Sequence, residues 1–216
     1  KGRIGAEWNS GCQEMAGLVE KLRHLNPFIK IASWVFDLLA KDFSEDRFLW
    51  AQNTDKIIDK FFMTDGDTAS KLERAVVLRQ GVLDCHKVGE PRREWKADVL
   101  FLGYPYRDRV PFAQGLVRHF KDRFLIVQDG VRGEDLYDLM ASVKVVVGPE
   151  FPSRAGYYSN RIYVVTGCGG CFCAPMVPGM ETEGWPPGLH FETYGDNHIE
   201  TIEALIADEG RRKRVA

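Results

Sequence analysis

The chain has 216 residues, 44% of them hydrophobic and 12% aromatic, enough apolar material for one large globular core or two small ones. Its 29 Lys and Arg against 31 Asp and Glu give a formal net charge of -2, which supplies no long-range field for a polyanion, so any contact with nucleic acid or an acidic membrane would need a local patch. No apolar run reaches the ~20 residues of a membrane-spanning helix, no signal-like segment is seen, and the five cysteines are odd in number, so free thiols in a reducing, cytoplasmic setting are the expectation.

Met15, Leu18, Val19, Leu22 and Leu25 recur at helical spacing with Pro27 just beyond, which predicts an amphipathic helix. Phe28 to Phe36 is an apolar and β-branched run broken only by Lys30 and Ser33, and predicts a buried strand with Asp37 at its carboxyl end. Ile57 to Met63 predicts a second strand, Thr64-Asp65 the cap of a helix through about Glu73, and Ala75 to Leu78 a short third strand. Strands parted by helical signals make this region a parallel α/β domain. From Gly81 to Lys96 the composition turns polar around Glu90-Pro91-Arg92-Arg93-Glu94, the expected linker. It separates a domain over residues 1–90 from one over residues 91–216. Because residue 1 is Lys and residues 211–216 stop within a helical pattern, trimming at both ends is expected.

The second half carries stronger signals. Val99 to Leu102 predicts a strand, residues 103–109 a loop, and Asp108 the cap of a helix with Pro111 in its first turn and Val110, Ala113, Leu116, Val117 and Phe120 on one face. Strand Phe124 to Val127, helix Glu134 to Ala141 and strand Val143 to Val147 follow. Then come a helix opening at Ser159 or Asn160, a glycine-rich exit at Gly167-Cys168-Gly169-Gly170, and a strand from Cys171 to Ala174. Ile199, Ile202, Leu205 and Ile206 mark a last amphipathic helix. This alternation predicts a doubly wound parallel sheet whose ligands bind beyond the carboxyl ends of its strands. The loops there share a chemistry: Arg107, Arg109, Arg154 and Arg161 offer guanidinium groups beside a helix start, a set that suits the delocalised negative charge of a diphosphate.

With Ile31-Ala32-Ser33-Trp34-Val35-Phe36-Asp37, Phe62-Met63-Thr64-Asp65, Leu78-Arg79-Gln80-Gly81-Val82, Val99 to Gly103, and Ser159-Asn160-Arg161-Ile162-Tyr163 before the glycine-rich exit, the chain resembles the CgeB-like branch of the group 1 glycosyltransferases over most of its length. The resemblance implies an α/β GT-B fold, two Rossmann-like domains with parallel sheets facing each other across a cleft, the first domain here short or incomplete. It implies transfer of a sugar from a nucleotide-diphosphate donor to an acceptor, with no cofactor and no metal. Arg107 and Arg109 would stabilise the diphosphate leaving group, and Asp37 with Trp34 would face the acceptor, Asp37 as a catalytic carboxylate. Donor-binding residues would be Gly103, Tyr104, Ser159, Asn160, Arg161, Gly169 and Gly170 around the phosphates, and Gln128, Asp129 and Val131 around the base.

The family usually carries a glutamate where this chain has Val164, and in the wider superfamily that carboxylate binds the donor ribose. A valine accepts no hydroxyl, so either Glu150 takes the role or the chain is a degenerate GT-B protein, a nucleotide- or anion-binding module without turnover. The acceptor is left open among a polysaccharide, a protein, a small molecule and a modified DNA base; for the last, Lys21, Arg23, Lys30 and Lys41 are too scattered to form a basic rim. A zinc site of Cys168, Cys171 and Cys173 with His190 or His198 is weaker than buried thiols, because alternate strand side chains face opposite ways. A dehydrogenase is weaker still, since no Gly-x-Gly-x-x-Gly follows a strand. The run Arg211 to Arg214 reads as the solvated face of a terminal helix.

Overall fold

The computed structural model describes residues 15–36, 44–81, 87–107, 109–149 and 154–216. The chain divides into two compact units, residues 1–80 with 155–157, and residues 81–154 with 158–216. No described helix is long and apolar enough to cross a membrane.

The first unit runs through helix α1 (15–25), β1 (Ala32–Val35), α2 (Glu45–Ile57), β2 (Lys60–Met63), the single-turn α3 (Gly66–Ala69) and β3 (Ala75–Val77). Its strands form a parallel sheet in the order β1-β2-β3. The core gathers Val19, Trp50, Ala51, Ile58, Phe61, Met63 and Ala69. The first strand is shorter than the apolar run predicts. Asn26 accepts the N–H of Phe28 on its side chain (3.1 Å) and that of Ile29 on its carbonyl (3.1 Å), so a turn consumes the start of the run. Ile57 belongs to α2 rather than to the second strand. That helix has a weak apolar repeat, because Thr54 and Asp55 are buried beside Trp50 and Ala51.

Asp65 caps α3 as its position suggests, taking the N–H of Thr68 at 3.1 Å and its hydroxyl at 2.6 Å. The helix nevertheless stops at Ala69, far short of Glu73. The buried Asp55 carboxylate accepts the backbone N–H groups of Glu73 (2.9 Å) and Arg74 (3.0 Å), which turns the chain into β3.

The second unit holds β4 (Ala97–Leu102), α4 (Arg109–Phe120), β5 (Phe124–Val127), α5 (Glu134–Ser142), β6 (Val143–Val147), α6 (Arg161–Gly167), β7 (Phe172–Pro175), β8 (Glu192–Tyr194), α7 (His198–Ala207) and α8 (Glu209–Val215). The strands make one parallel sheet in the order β5-β4-β6-β7-β8. Alternate residues of β4 and β6 enter two cores. Leu100 and Val146 pack with Leu139 and Met140 of α5 and Ile162 and Val165 of α6. Val99, Phe101, Val145 and Val147 pack with Leu116 and Phe120 of α4 and Ile202 and Leu205 of α7. Apolar residues on both faces are what a sheet covered by helices on each side demands, so the unit is doubly wound.

Two polar stretches read differently in the structure than in the sequence. Residues 87–95 are docked along α5: Glu90 N–H donates to Asp138 (2.8 Å), Arg92 N–H to Ser142 (2.8 Å), and the Arg92 guanidinium to Asp138 (2.7 Å) and Asp135 (2.8 Å). In the terminal basic run, Arg211 forms a bidentate pair with Glu192 of β8, both contacts at 2.6 Å, and Arg212 donates to the carbonyls of Leu205 and Ile206 at the end of α7. Arg211→Ala leaves the Glu192 carboxylate, 7% exposed, without its guanidinium partner. Urea denaturation of that variant is expected to show a loss of about 2 kcal/mol, below the cost of breaking a fully buried pair, since Arg211 is itself part-exposed.

Candidate functional site

The strand order of the second unit places β5 on one side of β4 and β6 on the other. The connections after β4 and β6 therefore diverge and leave a crevice at the carboxyl edge. Two glycines form its floor. Gly103 follows β4 at φ +126, a conformation open to glycine, and its N–H donates to the Val127 carbonyl at 2.8 Å. Gly148 follows β6, with its N–H on the Cys173 carbonyl at 3.0 Å; a Cβ there would stand 2.7 Å from the Phe172 ring.

Arg161, the first residue of α6, lies across this floor. Its Nε donates to the Leu102 carbonyl at 2.9 Å, and its guanidinium nitrogens come within 3.5 Å of the point a Gly148 Cβ would occupy and 3.6 Å of the Gly103 one. The guanidinium carbon sits 5.9 Å from the centre of the Phe101 ring, and the residue is only 9% exposed. Ser159 Oγ accepts the Arg161 N–H at 3.3 Å, while Asn160 takes the cap position in helical conformation without a side-chain cap bond.

The loop after β4 carries Tyr104 and Tyr106 as exposed aromatics, and an exposed Arg107 at φ +52. Such a conformation is uncommon for a residue with a side chain. The Arg107 and Tyr106 carbonyls accept the N–H groups of Val110 (3.0 Å) and Arg109 (3.1 Å) and so start α4. Arg109 is buried, its guanidinium 4.7 Å above the Tyr106 ring. Tyr104 donates its hydroxyl to the Asp129 carboxylate in the loop after β5, and that bond, joined by burial, raises the Tyr104 pKa above the usual phenol value. Gln128 and Asp129 are exposed, and Val131 packs against the core.

Of the sequence-predicted residues, the structure thus gathers Gly103, Tyr104, Arg107, Arg109, Gln128, Asp129, Val131, Ser159, Asn160 and Arg161 at the carboxyl edge of one sheet. Gly169 and Gly170 stand elsewhere. They precede β7 at its amino edge and border a hollow of about 460 Å³ with Val88, Pro91 and Lys144. A Cβ would meet Val88 at 2.7 Å from Gly169 and Val165 at 2.8 Å from Gly170, so close packing accounts for both glycines. Trp34 lies in the first unit, where its Nε1 donates to the Leu78 carbonyl (3.1 Å) and its ring meets Phe36 at 4.5 Å. Asp37, Asp108 and Glu150 lie outside the described residues. Val164 is half-buried on α6.

Sequence reasoning missed Gly148, whose role depends on a neighbour 24 positions along the chain. It also missed a relay in which the buried Tyr163 hydroxyl meets that of buried Tyr158 (3.3 Å), which donates to the exposed Glu183 (2.7 Å) and so ties α6 to the loop after β7. Cys168, Cys171 and Cys173 are buried free thiols; burial raises Cys168 to about 11 and Cys171 to about 12, and raises Cys173 further, which suits packing rather than reactivity. In the first unit Arg23 and Lys30 both pair with Asp59, at 3.2 and 3.7 Å.

Neither a scan of protein-family models nor a search of curated protein sequences gave a match. Solved structures did. HepE of Anabaena, solved in complex with UDP and glucose, superposes with a TM-score of 0.63 at 11% identity over 86% of this chain and 64% of HepE. Its complex with UDP-glucose gives 0.62 at 12% over 86% and 65%. Sucrose-phosphate synthase of Thermosynechococcus elongatus gives 0.55 at 14% over 82% of this chain and 57% of that one. The chain therefore has the fold of the GT-B glycosyltransferases, with a short first unit. It spans a little under two thirds of the length of HepE.

Gly148→Ala tests how the crevice floor is packed. The added methyl is expected to cost about 1–3 kcal/mol by overpacking against Phe172, measured by denaturant titration. In combination with Phe172→Leu the total loss should fall well short of the two single losses added together. Additive losses would show that the ring does not limit this position.

Proposed function

We propose that the chain belongs to a glycosyltransferase that moves a sugar from a nucleoside-diphosphate donor to an acceptor, and that its second unit binds the donor. The observation that carries this reading is the Arg161 guanidinium laid across two side-chain-free glycines at the point where the strand order reverses. Part-exposed Gly103 has no side chain to keep phosphate oxygens from its backbone, and a planar cation beside it matches delocalised negative charge. The fold shared with HepE, which was solved with UDP-glucose, supports the same assignment.

In the transfer, the bond between the anomeric carbon and the diphosphate oxygen breaks, the acceptor oxygen takes its place, and negative charge grows on the departing diphosphate. Arg107, exposed on the loop after β4, would meet that charge directly. Arg109, buried and stacked on Tyr106, adds a fixed positive charge to the same loop. In this reading arginines supply the charge stabilisation that a metal supplies elsewhere. Ser159 and Asn160 would border the phosphates beside Arg161, and Gln128, Asp129 and Val131 would read the base. Trp34 and Asp37 of the first unit are assigned to the acceptor side, Asp37 as the carboxylate that receives the acceptor proton, and Glu150 to the donor ribose. A DNA acceptor finds little support, because Arg23 and Lys30 are engaged by Asp59.

Val164 favours a second reading, a protein that holds a nucleotide without turnover, since its half-buried aliphatic side chain offers no acceptor to a ribose hydroxyl. One assay separates the two. Incubation with a panel of nucleotide sugars, followed by chromatography, is expected to show release of the nucleoside diphosphate by transfer or slow hydrolysis. Arg107→Ala should lower that release by roughly 100-fold, as for loss of one charge-stabilising donor. Thermal stabilisation by nucleoside diphosphates with no release from any donor would establish the binding module instead.

A further inference from the structure

Asp129 is an exposed carboxylate on the loop that leaves β5, one strand from the crevice floor, a step of about 4.8 Å. It is not a loose side chain, because the Tyr104 hydroxyl from the loop after β4 donates to it and fixes its orientation across the two loops. The Tyr104 ring, 51% exposed, leaves a stacking face beside that carboxylate. A phenol is protonated throughout the neutral pH range, and the same hydrogen bond shifts its pKa further upward, so the hydroxyl keeps donating.

Resting on the donor site proposed above, we infer that this edge selects guanine: the nucleotide is a guanosine diphosphate or its sugar ester, and Asp129 is the residue that specifies it. An ionised carboxylate only accepts, and it retains lone pairs after accepting the Tyr104 hydrogen bond. Guanine alone among the common bases presents two adjacent donors, its N1–H and its exocyclic amine, on one edge. Uracil offers a single N–H between two carbonyls, whose oxygens would face the carboxylate and repel it. Adenine and cytosine place a lone-pair nitrogen next to their amine, with the same result on one side. The discrimination comes from the partner left unsatisfied as much as from the bond formed.

Calorimetric titration of the intact chain with GDP, UDP and ADP tests this, using wild type, Asp129→Asn and Tyr104→Phe, with thermal unfolding of each variant to establish folding. GDP is expected to bind at least about tenfold more tightly than UDP or ADP, the scale of one good two-bond base contact. Asp129→Asn, which replaces an acceptor oxygen by a donor, should bring the GDP-to-UDP ratio close to one. Tyr104→Phe should reduce the ratio in part, by about threefold, because the carboxylate loses its orienting bond. Equal affinities in the wild type, or a ratio unmoved by Asp129→Asn, would overturn the guanine assignment and leave the nucleotide site standing. Binding of none of the three would overturn both.

Discussion

Keeping a guanidinium at 9% exposure is costly unless the surroundings are built for it, and the carboxyl edge of the second sheet is arranged around Arg161. The bond from its Nε to the Leu102 carbonyl ties the start of α6 to the end of β4, so the helix and the central strand hold a fixed relation across the point where the strand order reverses. Gly103 and Gly148 put no side chain between β4 and β6 beside that bond, and a Cβ at either would stand 3.5–3.6 Å from the guanidinium. The Tyr163–Tyr158–Glu183 relay holds the other side of α6. A short helix of 7 residues has little stability of its own, and these contacts, with Ile162 and Val165 in the core, set where its first turn lies.

The loops on either side then acquire separate tasks. Arg107 and Arg109 diverge in environment although they are two residues apart: one is exposed at positive φ, the other buried against Tyr106. In the proposed function the exposed arginine meets the diphosphate, and the buried one fixes the loop that presents it. Tyr104 joins this loop to the one after β5 through Asp129, so the two connections flanking the crevice on that side are linked by a hydrogen bond rather than held apart.

Much of the second unit was legible because helices cover both faces of its sheet, so that its strands read as apolar runs. Val143–Val147 and Phe124–Val127 have the expected limits for that reason. The first unit was harder, since α2 buries Thr54 and Asp55 and Asp55 ends α3 from a distance, neither of which leaves an apolar period. The short β8 was missed because its three residues follow a stretch rich in proline and glycine. Arg161, Gly103 and the Tyr104–Asp129 loops could be placed at one edge from strand order alone. Gly169 and Gly170 could not, because a glycine required by packing and one required by a ligand look the same in a sequence. The GT-B architecture was legible only as a resemblance of short segments; at 11% to 14% identity, the likeness to HepE and sucrose-phosphate synthase lies in backbone geometry rather than in residues.

In the proposed function the carboxyl-edge crevice, not the amino-edge hollow, receives the nucleotide. Hydrogen–deuterium exchange with and without saturating nucleoside diphosphate tests it most directly. Slowed exchange of the amides at 103–107, 128–131 and 159–161, with no change at 169–171, is expected. Protection centred on 169–171 and the neighbouring start of β6, with the carboxyl-edge loops unaffected, would contradict it.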